Sequence, residues 1–181
     1  MKAIIFKVVN IIFRGVNKLK RLSNIVVAKN AGLSVGEETL FIGFQDFGSE
    51  PFLISIGRKC LITDGVQFVT HDGSIQVPLL RDGEHFDEVY SKKSTFGKIN
   101  IGNNVFVGVQ ALILPNTTIG DNCIVAAGAV VKGSFPDGSV IAGNPARIVS
   151  NLEAYYEKNI SRIIEFSPAD NRKEKILRYF G

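Results

Sequence analysis

The chain of 181 residues is long enough for one domain with a substantial core and short for two. Hydrophobic residues at 45% and charged residues at 21% exclude a disordered chain, and no apolar run approaches the roughly 18 residues of a membrane span. The net charge of +4, with 21 Lys and Arg spread against 17 Asp and Glu, lacks the concentrated basic stripe of a nucleic-acid binder, so no nucleic-acid partner is expected.

Residues 1–24 are predicted to form an amphipathic helix. Ile4, Ile5, Val8, Ile11, Ile12 and Val16 recur at helical spacing, while Lys7, Arg14, Lys18, Lys20 and Arg21 fall largely elsewhere. Lys7 and Arg14 interrupt the apolar run and no small-residue cleavage site follows, which argues against secretion and for a cytoplasmic protein. Such a helix either covers the open end of the fold that follows or rests on an anionic membrane surface, making the protein peripheral to the inner face of the membrane.

Residues 25–149 carry a different period. From Ile101 an aliphatic residue returns at every sixth position, at Val107, Ile113, Ile119, Val125 and Val131. Neither a helix nor an ordinary strand repeats at six, but a solenoid of short strands and corners does. Four positions after each of the first five stands a small or compact residue, Val105, Ala111, Thr117, Cys123 and Ala129, and this alternation suits a tapered interior. Gly102, Gly108 and Gly120 follow the aliphatic residue directly, where a tight corner selects glycine.

The same frame runs upstream through Ile56, Ile62 and Phe68, and more poorly through Val35 and Phe41, with a slip across residues 47–55 that predicts an irregular coil. Residues 74–98 have no hexapeptide phase and read as a long loop extruded from the coil. Cys60 and Cys123 occupy small inward positions and are predicted to be buried free thiols. Past Val131 the chain is expected to leave the coil through a Pro/Gly-rich turn. Ser150 with Glu153, and Ser167 with Asp170, signal a helix near 151–165 and a shorter one near 169–179, a helical tail over 150–181 that caps the open end of the stack.

The clean repeat from 101 to 131, a histidine that ends a coil before a long loop, and the sequence GNPAR at 143–147 together resemble the hexapeptide-repeat acyltransferases. Within them, residues 35–150 are similar to the branch containing the maltose and galactoside O-acetyltransferases and the O-acetyltransferases of lipopolysaccharide and capsule. The resemblance implies an all-β solenoid, a left-handed parallel β-helix, assembled as a homotrimer with acetyl-CoA in a groove between neighbouring β-helices and with no metal. The hand rests on the resemblance alone, because crossovers between parallel strands are normally right-handed.

Acetyl transfer to a hydroxyl needs a base to take the proton as the oxygen attacks the thioester carbonyl, and imidazole suits that task near neutrality. Of the two histidines, His71 in FVTHDGS stands where the family places its catalytic histidine. Asp72 either orients His71 or an acceptor hydroxyl, or bonds its own loop backbone. His85, among charges in mid-loop, and Asp64, Gln45 and Asp46, which break the apolar pattern on neighbouring coils, are candidate acceptor contacts. Gly108 and Ala127 match family positions beside the pantetheine arm, and Lys132 and Arg147 are candidates to face the CoA phosphates. The chain departs from the family pattern at Phe106, where Trp is frequent, and in VVKG at 130–133, whose lysine comes one position early.

The expected activity is acetyl-CoA-dependent O-acetylation of a sugar hydroxyl, in surface polysaccharide or lipopolysaccharide assembly. Alternatives are N-acetylation of an amino-sugar nucleotide, acetylation of an antibiotic, and a non-catalytic scaffold that would not depend on His71. A zinc enzyme resembling the gamma carbonic anhydrases needs three histidines per zinc, and the chain has two.

Overall fold

In the computed structural model, which describes residues 15, 16, 19, 20 and 22–180, the period of six is a path around a triangle. Each hexapeptide supplies one short strand and one corner, so three of them return the chain to its starting face one strand higher. The first coil consists of β1 (Ser34–Val35), β2 (Leu40–Phe41) and an isolated bridge at Asp46. The second consists of β3 (Ile54–Ile56), β4 (Leu61–Ile62) and β5 (Gln67–Phe68). An excursion then opens with β6 (His71–Asp72) and closes with its antiparallel partner β7 (Thr95–Phe96). The third coil is β8 (Ile99–Ile101), β9 (Phe106–Val107) and β10 (Leu112–Ile113), and the fourth is β11 (Thr117–Ile119), β12 (Ile124–Val125) and β13 (Val130–Val131). A partial fifth coil holds β14 (Ser134–Phe135) and β15 (Ser139–Gly143), after which β16 (Ala146–Asn151) folds back antiparallel on β15. Three parallel sheets result, ordered β1-β3-β8-β11-β14, β2-β4-β9-β12-β15 and β5-β10-β13.

The repeat residues pack as the alternation predicts. Ile101, Val107, Ile113, Ile119, Val125 and Val131 are all buried, and so are Val105, Ala111, Thr117, Cys123 and Ala129 opposite them. Each buried Ile or Val contributes about 1.5–3 kcal/mol. The polar members are satisfied locally: Thr117 Oγ1 donates to Leu114 O at 2.7 Å, and the Cys60 and Cys123 thiols donate to the Gly102 and Pro136 carbonyls at 3.1 and 3.3 Å. Both cysteines are free, and burial pushes both thiols above their ordinary pKa.

One corner is held by a ladder of side chains. Asn103 Oδ1 accepts from Arg58 N, Asp121 Oδ1 from Asn103 N and Asp137 Oδ1 from Asp121 N, at 3.0, 2.7 and 2.8 Å, so each coil satisfies an amide of the coil before it. Gly102 lies under this ladder, and a Cβ there would meet Asp121 Oδ1 at 2.4 Å and the Gly120 carbonyl carbon at 2.7 Å. Close stacking of corners therefore selects this glycine.

The ends of the chain differ from expectation in instructive ways. The helix expected over 1–24 falls, at residues 1–14, 17, 18 and 21, outside the described residues, and the helical run α1 (22–30) continues past residue 24. Ala28 joins the core cluster and Asn24 Nδ2 donates to Gln45 O at 2.6 Å, so α1 closes the first coil. The extruded loop contains two short helices, α2 (Gln76–Arg81) and α3 (Phe86–Lys92), the second anchored by buried Val89.

The coil also continues past Val131. Thr118 and Ile119 pair with Ser134 and Phe135, and Ile124 and Val125 with Val140 and Ile141, at an offset of 16 instead of the 18 between the third and fourth coils. Two residues lost at one corner hide this last coil from a search at period six. The hairpin of β15 and β16 buries Ile141 and Ala146 in the core and covers the end of the stack. Of the tail helices, α4 (Leu152–Asn159) and α5 (Arg172–Phe180), the first contacts the end strands β15 and β16. α4 lies beside Ile124 on the outer side of the second sheet, leaving an apolar groove of about 570 Å³. It is capped by Asn151, whose Oδ1 accepts from Ala154 N at 2.9 Å, one residue beyond the expected Ser150. No helix of the described residues is long and apolar enough to cross a membrane.

The interior has no room beside Ala111 or Ala129, whose exposures are 0% and 1%. Replacing either by Phe should cost at least about 1–3 kcal/mol. Thermal melting checks this, and an unchanged midpoint would mean that neither side chain points inward.

Candidate active site

Coil length changes at one corner only, the corner that leads from the third sheet back to the first. Ser34 pairs with Ser55, Leu40 with Leu61 and Asp46 with Gln67, all 21 positions on. Between the second and third coils the offset is 45, as in Leu61 with Phe106 and Gln67 with Leu112, against 18 between the third and fourth. Relative to the regular coil, this corner gains three residues on the first coil and 27 on the second. The small insertion carries Glu50 and the large one carries His71, one coil apart on the same edge.

Backbone pairing fixes where His71 stands. Thr70 O accepts from Gly97 N at 2.8 Å, and β6 and β7 pair His71 with Phe96 and Asp72 with Thr95, so the excursion is pinched shut at its base. His71 is the first residue beyond that pinch. Its Nδ1 lies 2.9 Å from Glu50 Oε2, and Thr70 Oγ1 donates to the same oxygen at 2.6 Å. The His71 side chain is 42% exposed and that of Glu50 17%, so the pair is sheltered on one side and open on the other.

Burial acts to raise the Glu50 pKa, but the hydrogen bonds from Thr70 and His71, together with the charge of a protonated His71, outweigh it and hold the carboxyl below the ordinary glutamate range. Ionised, Glu50 only accepts, so in the neutral ring the proton sits on His71 Nδ1 and the lone pair on Nε2. The Phe96 ring, 6.1 Å away between centroids, flanks the imidazole. Beside His71 opens a cleft of about 350 Å³ lined by Gly73, Gln76, Tyr90, Lys93 and Ser94, residues from the start of the excursion, from α2 and from the end of α3.

The other residues singled out in the sequence fall in several places. Asp72 Oδ1 accepts from Ser74 N at 2.8 Å, the expected bond to its own loop backbone, which holds its carboxyl below the usual range. Glu50 holds His71. His85 precedes α3, at the end of that helix away from Lys93, and is not among the residues lining the cleft. Gln45 is corrected to an interior position: it is fully buried, with Nε2 donating to Ile42 O and Thr63 O at 2.7 and 3.0 Å. Asp64 Oδ1 accepts from Phe44 N at 2.7 Å and Asp46 Oδ1 from Gly48 N at 2.9 Å, so both carboxylates satisfy corner amides, and neither lines the cleft.

Ala127 and Arg147 lie together at a second corner, between the second and third sheets. Ala127 is exposed there, and Arg147 pairs with Ala142 on β15, whose residues Val140 and Ile141 stack on Ile124 and Val125. Lys132 follows β13 at the first corner, on the side of Asp72, which its charge helps keep ionised.

Residues 98–133 match the bacterial transferase hexapeptide (six repeats) family. Protein CapG of Staphylococcus aureus is 40% identical over 149 residues, which cover 81% of each chain. The chain belongs to the hexapeptide-repeat acetyltransferases. The galactoside O-acetyltransferase of Escherichia coli is 32% identical over 61% of this chain, which spans about half, 52%, of that enzyme's length. The crystal structure of a hexapeptide-repeat acetyltransferase from Vibrio cholerae complexed with acetyl coenzyme A superposes with a TM-score of 0.53 at 25% identity, over 67% of this chain and 61% of that one.

For a hexapeptide-repeat chain, Gly108 has a reason to be glycine that needs no ligand. It is buried, and a Cβ there would stand 2.4 Å from Ala127 N and 2.8 Å from the Ala126 carbonyl carbon. The coil above covers it, so close stacking by itself accounts for the glycine. The residues missed in the sequence are Glu50, Gln76, Tyr90, Lys93 and Ser94. Glu50 had a signal available: the frame slip that contains it occupies the same corner as the long loop, one coil earlier.

The lowered Glu50 pKa carries a sign. Folding favours the ionised form, so this stabilisation is complete above the unfolded value near 4.5 and is lost as pH falls through the folded value below it. Glu50→Gln removes that titration and should flatten the fall in melting temperature measured between about pH 3 and pH 6. A wild-type slope retained in the variant would show that Glu50 is not preferentially ionised in the fold.

Proposed function

We propose that the protein is an acetyl-CoA-dependent O-acetyltransferase acting on a sugar hydroxyl in surface polysaccharide or lipopolysaccharide assembly, on a left-handed parallel β-helix assembled as a homotrimer. The observation that carries this reading is the Glu50–His71 pair at the mouth of a polar cleft. Acetyl-CoA supplies the acetyl group as a thioester, whose carbonyl is open to attack by a deprotonating hydroxyl. His71 Nε2 takes the acceptor proton as the new C–O bond forms, and Glu50 offsets the charge the ring gains. The ring then returns its proton to the sulfur as the C–S bond breaks, so His71 ends as it began.

A site shared between protomers is supported by the separation of the two corners. Ala127 and Arg147 lie on one corner and His71 on the next, on the order of 15 Å away across a sheet face. A thioester arm held at the Ala127 corner of one protomer meets a histidine most directly on a neighbour. Ala127 fits such an arm because it is small and exposed, and Arg147 fits the CoA phosphates because it is an exposed residue whose guanidinium is always charged.

His71→Ala should stay folded, with a melting temperature lowered only by the loss of its bond to Glu50, and should lower acetyl transfer by about 10²–10⁴-fold. A variant that retains a tenth of the activity would sink the assignment, and His85→Ala should stay near wild type. Arg147→Ala should weaken CoA binding in calorimetry, by a margin that shrinks as salt rises because exposed charges are screened over about 8–10 Å. A pantetheine thioester without the phosphates should bind both proteins alike.

A further inference from the structure

We propose that Phe86 and Tyr90 form a carbohydrate platform, a second subsite that binds a neutral sugar residue next to the one acetylated at His71. The acceptor is then an oligosaccharide rather than a free sugar or a sugar nucleotide. The proposal rests on the sugar O-acetyltransferase reading and names the acceptor class for that same site.

The two rings lie one helical turn apart on α3, parallel within 9° and 5.6 Å between centroids. They are 57% and 74% exposed, while Val89 between them is buried and anchors the helix. Neither ring is therefore needed to hold α3 in place. The rest of the exposed face is Asp87, Glu88, Ser91 and Lys92, the composition of an ordinary solvated helix, which leaves the stacked pair as the unexplained feature.

Position links the pair to the chemistry. Tyr90 lines the cleft with His71, and Phe86 continues the surface outward by about 6 Å along the helix, comparable to one sugar residue. Beside His71 also stands Phe96, 6.1 Å away between ring centroids and itself 58% exposed. A pyranose suits such walls because its C–H face is apolar and weakly positive, complementary to the negative face of an aromatic ring. Its hydroxyls project from the rim, where the cleft offers Gln76 and Ser94.

Charge argues for a neutral chain. Lys93 in the cleft is paired with Glu84, Lys92 on α3 with Glu88, and the ionised carboxylates of Asp72 and Glu50 stand beside His71. A phosphate or carboxylate on the acceptor would meet these engaged lysines and the nearby anions, while Lys132, which does not line the cleft, has its charge already set against Asp72.

The test uses the full-length protein. An array of neutral and anionic oligosaccharides and nucleotide sugars, one to four residues long, selects the best-bound glycan; calorimetry then compares it with its monosaccharide on wild type, Phe86→Ala and Phe86→Tyr. Wild type should bind the oligosaccharide at least about tenfold more tightly, Phe86→Ala should reduce that advantage below about threefold, and Phe86→Tyr should keep it. Equal affinity at every length, an advantage that survives Phe86→Ala, or selection of nucleotide sugars alone overturns the proposal. So does a change in sedimentation of Phe86→Ala, which would assign the rings to a protein interface. Because binding is read without turnover, failure of acetyl transfer to any sugar would count against the O-acetyltransferase reading and leave this result standing on its own.

Discussion

Each coil must sit one strand spacing, about 4.8 Å, above the last, and everything else in the molecule follows from that distance. Backbones this close leave no volume for a Cβ at Gly102 or Gly108, where the added atom would come within 2.4 Å of the next coil. The same closeness lets Asn103, Asp121 and Asp137 each reach an amide of the coil before it. It also sets the interior, where buried apolar residues of successive coils stack, Ile56 on Ile101 on Ile119 and Ile62 on Val107 on Val125, because every coil repeats nearly the same cross-section. Uniform spacing has one further consequence: added residues cannot be absorbed within a face and must leave at a corner.

The candidate active site is where they leave. Two insertions of very different size depart from one corner on successive coils, and stacking brings a carboxylate from the first under a histidine from the second. Neither insertion holds the pair by itself. Thr70, the last residue inside the coil, donates to the carboxylate, and Gly97, the first to return, bonds Thr70 O. The rigid solenoid thus sets the histidine to within one hydrogen bond, while the two short helices beyond it are free to present cleft residues without disturbing the stack.

Buried polar groups divide along the same line. Inside the coil, Thr117, Cys60, Cys123 and Gln45 all bond to backbone carbonyls of the corners, so they serve the stack. At the insertion corner the polar groups bond to one another instead. Glu50, Thr70 and His71 form a chain that ends at a half-exposed imidazole, the arrangement on which the proposed chemistry rests.

The strand frame was legible in the sequence because a repeating cross-section imposes a repeating residue type: Ile101 through Val131 reported the faces, and the alternating small residues reported the interior. The two cysteines and the glycine corners followed from the same period. Where the repeat breaks, sequence distance stops reporting spatial distance. The last coil is two residues short and escaped the period of six; Asp64, Gln45 and Asp46 looked like ligands because they broke the pattern, yet their partners are backbone amides and carbonyls of neighbouring turns. By itself the sequence determined the solenoid, since the repeat is written in local spacing, and it singled out His71 only through its resemblance to the family's motif. Only the tertiary structure decided that Glu50, not adjacent Asp72, holds that histidine, because a contact across 21 positions exists only once one coil has been stacked on another.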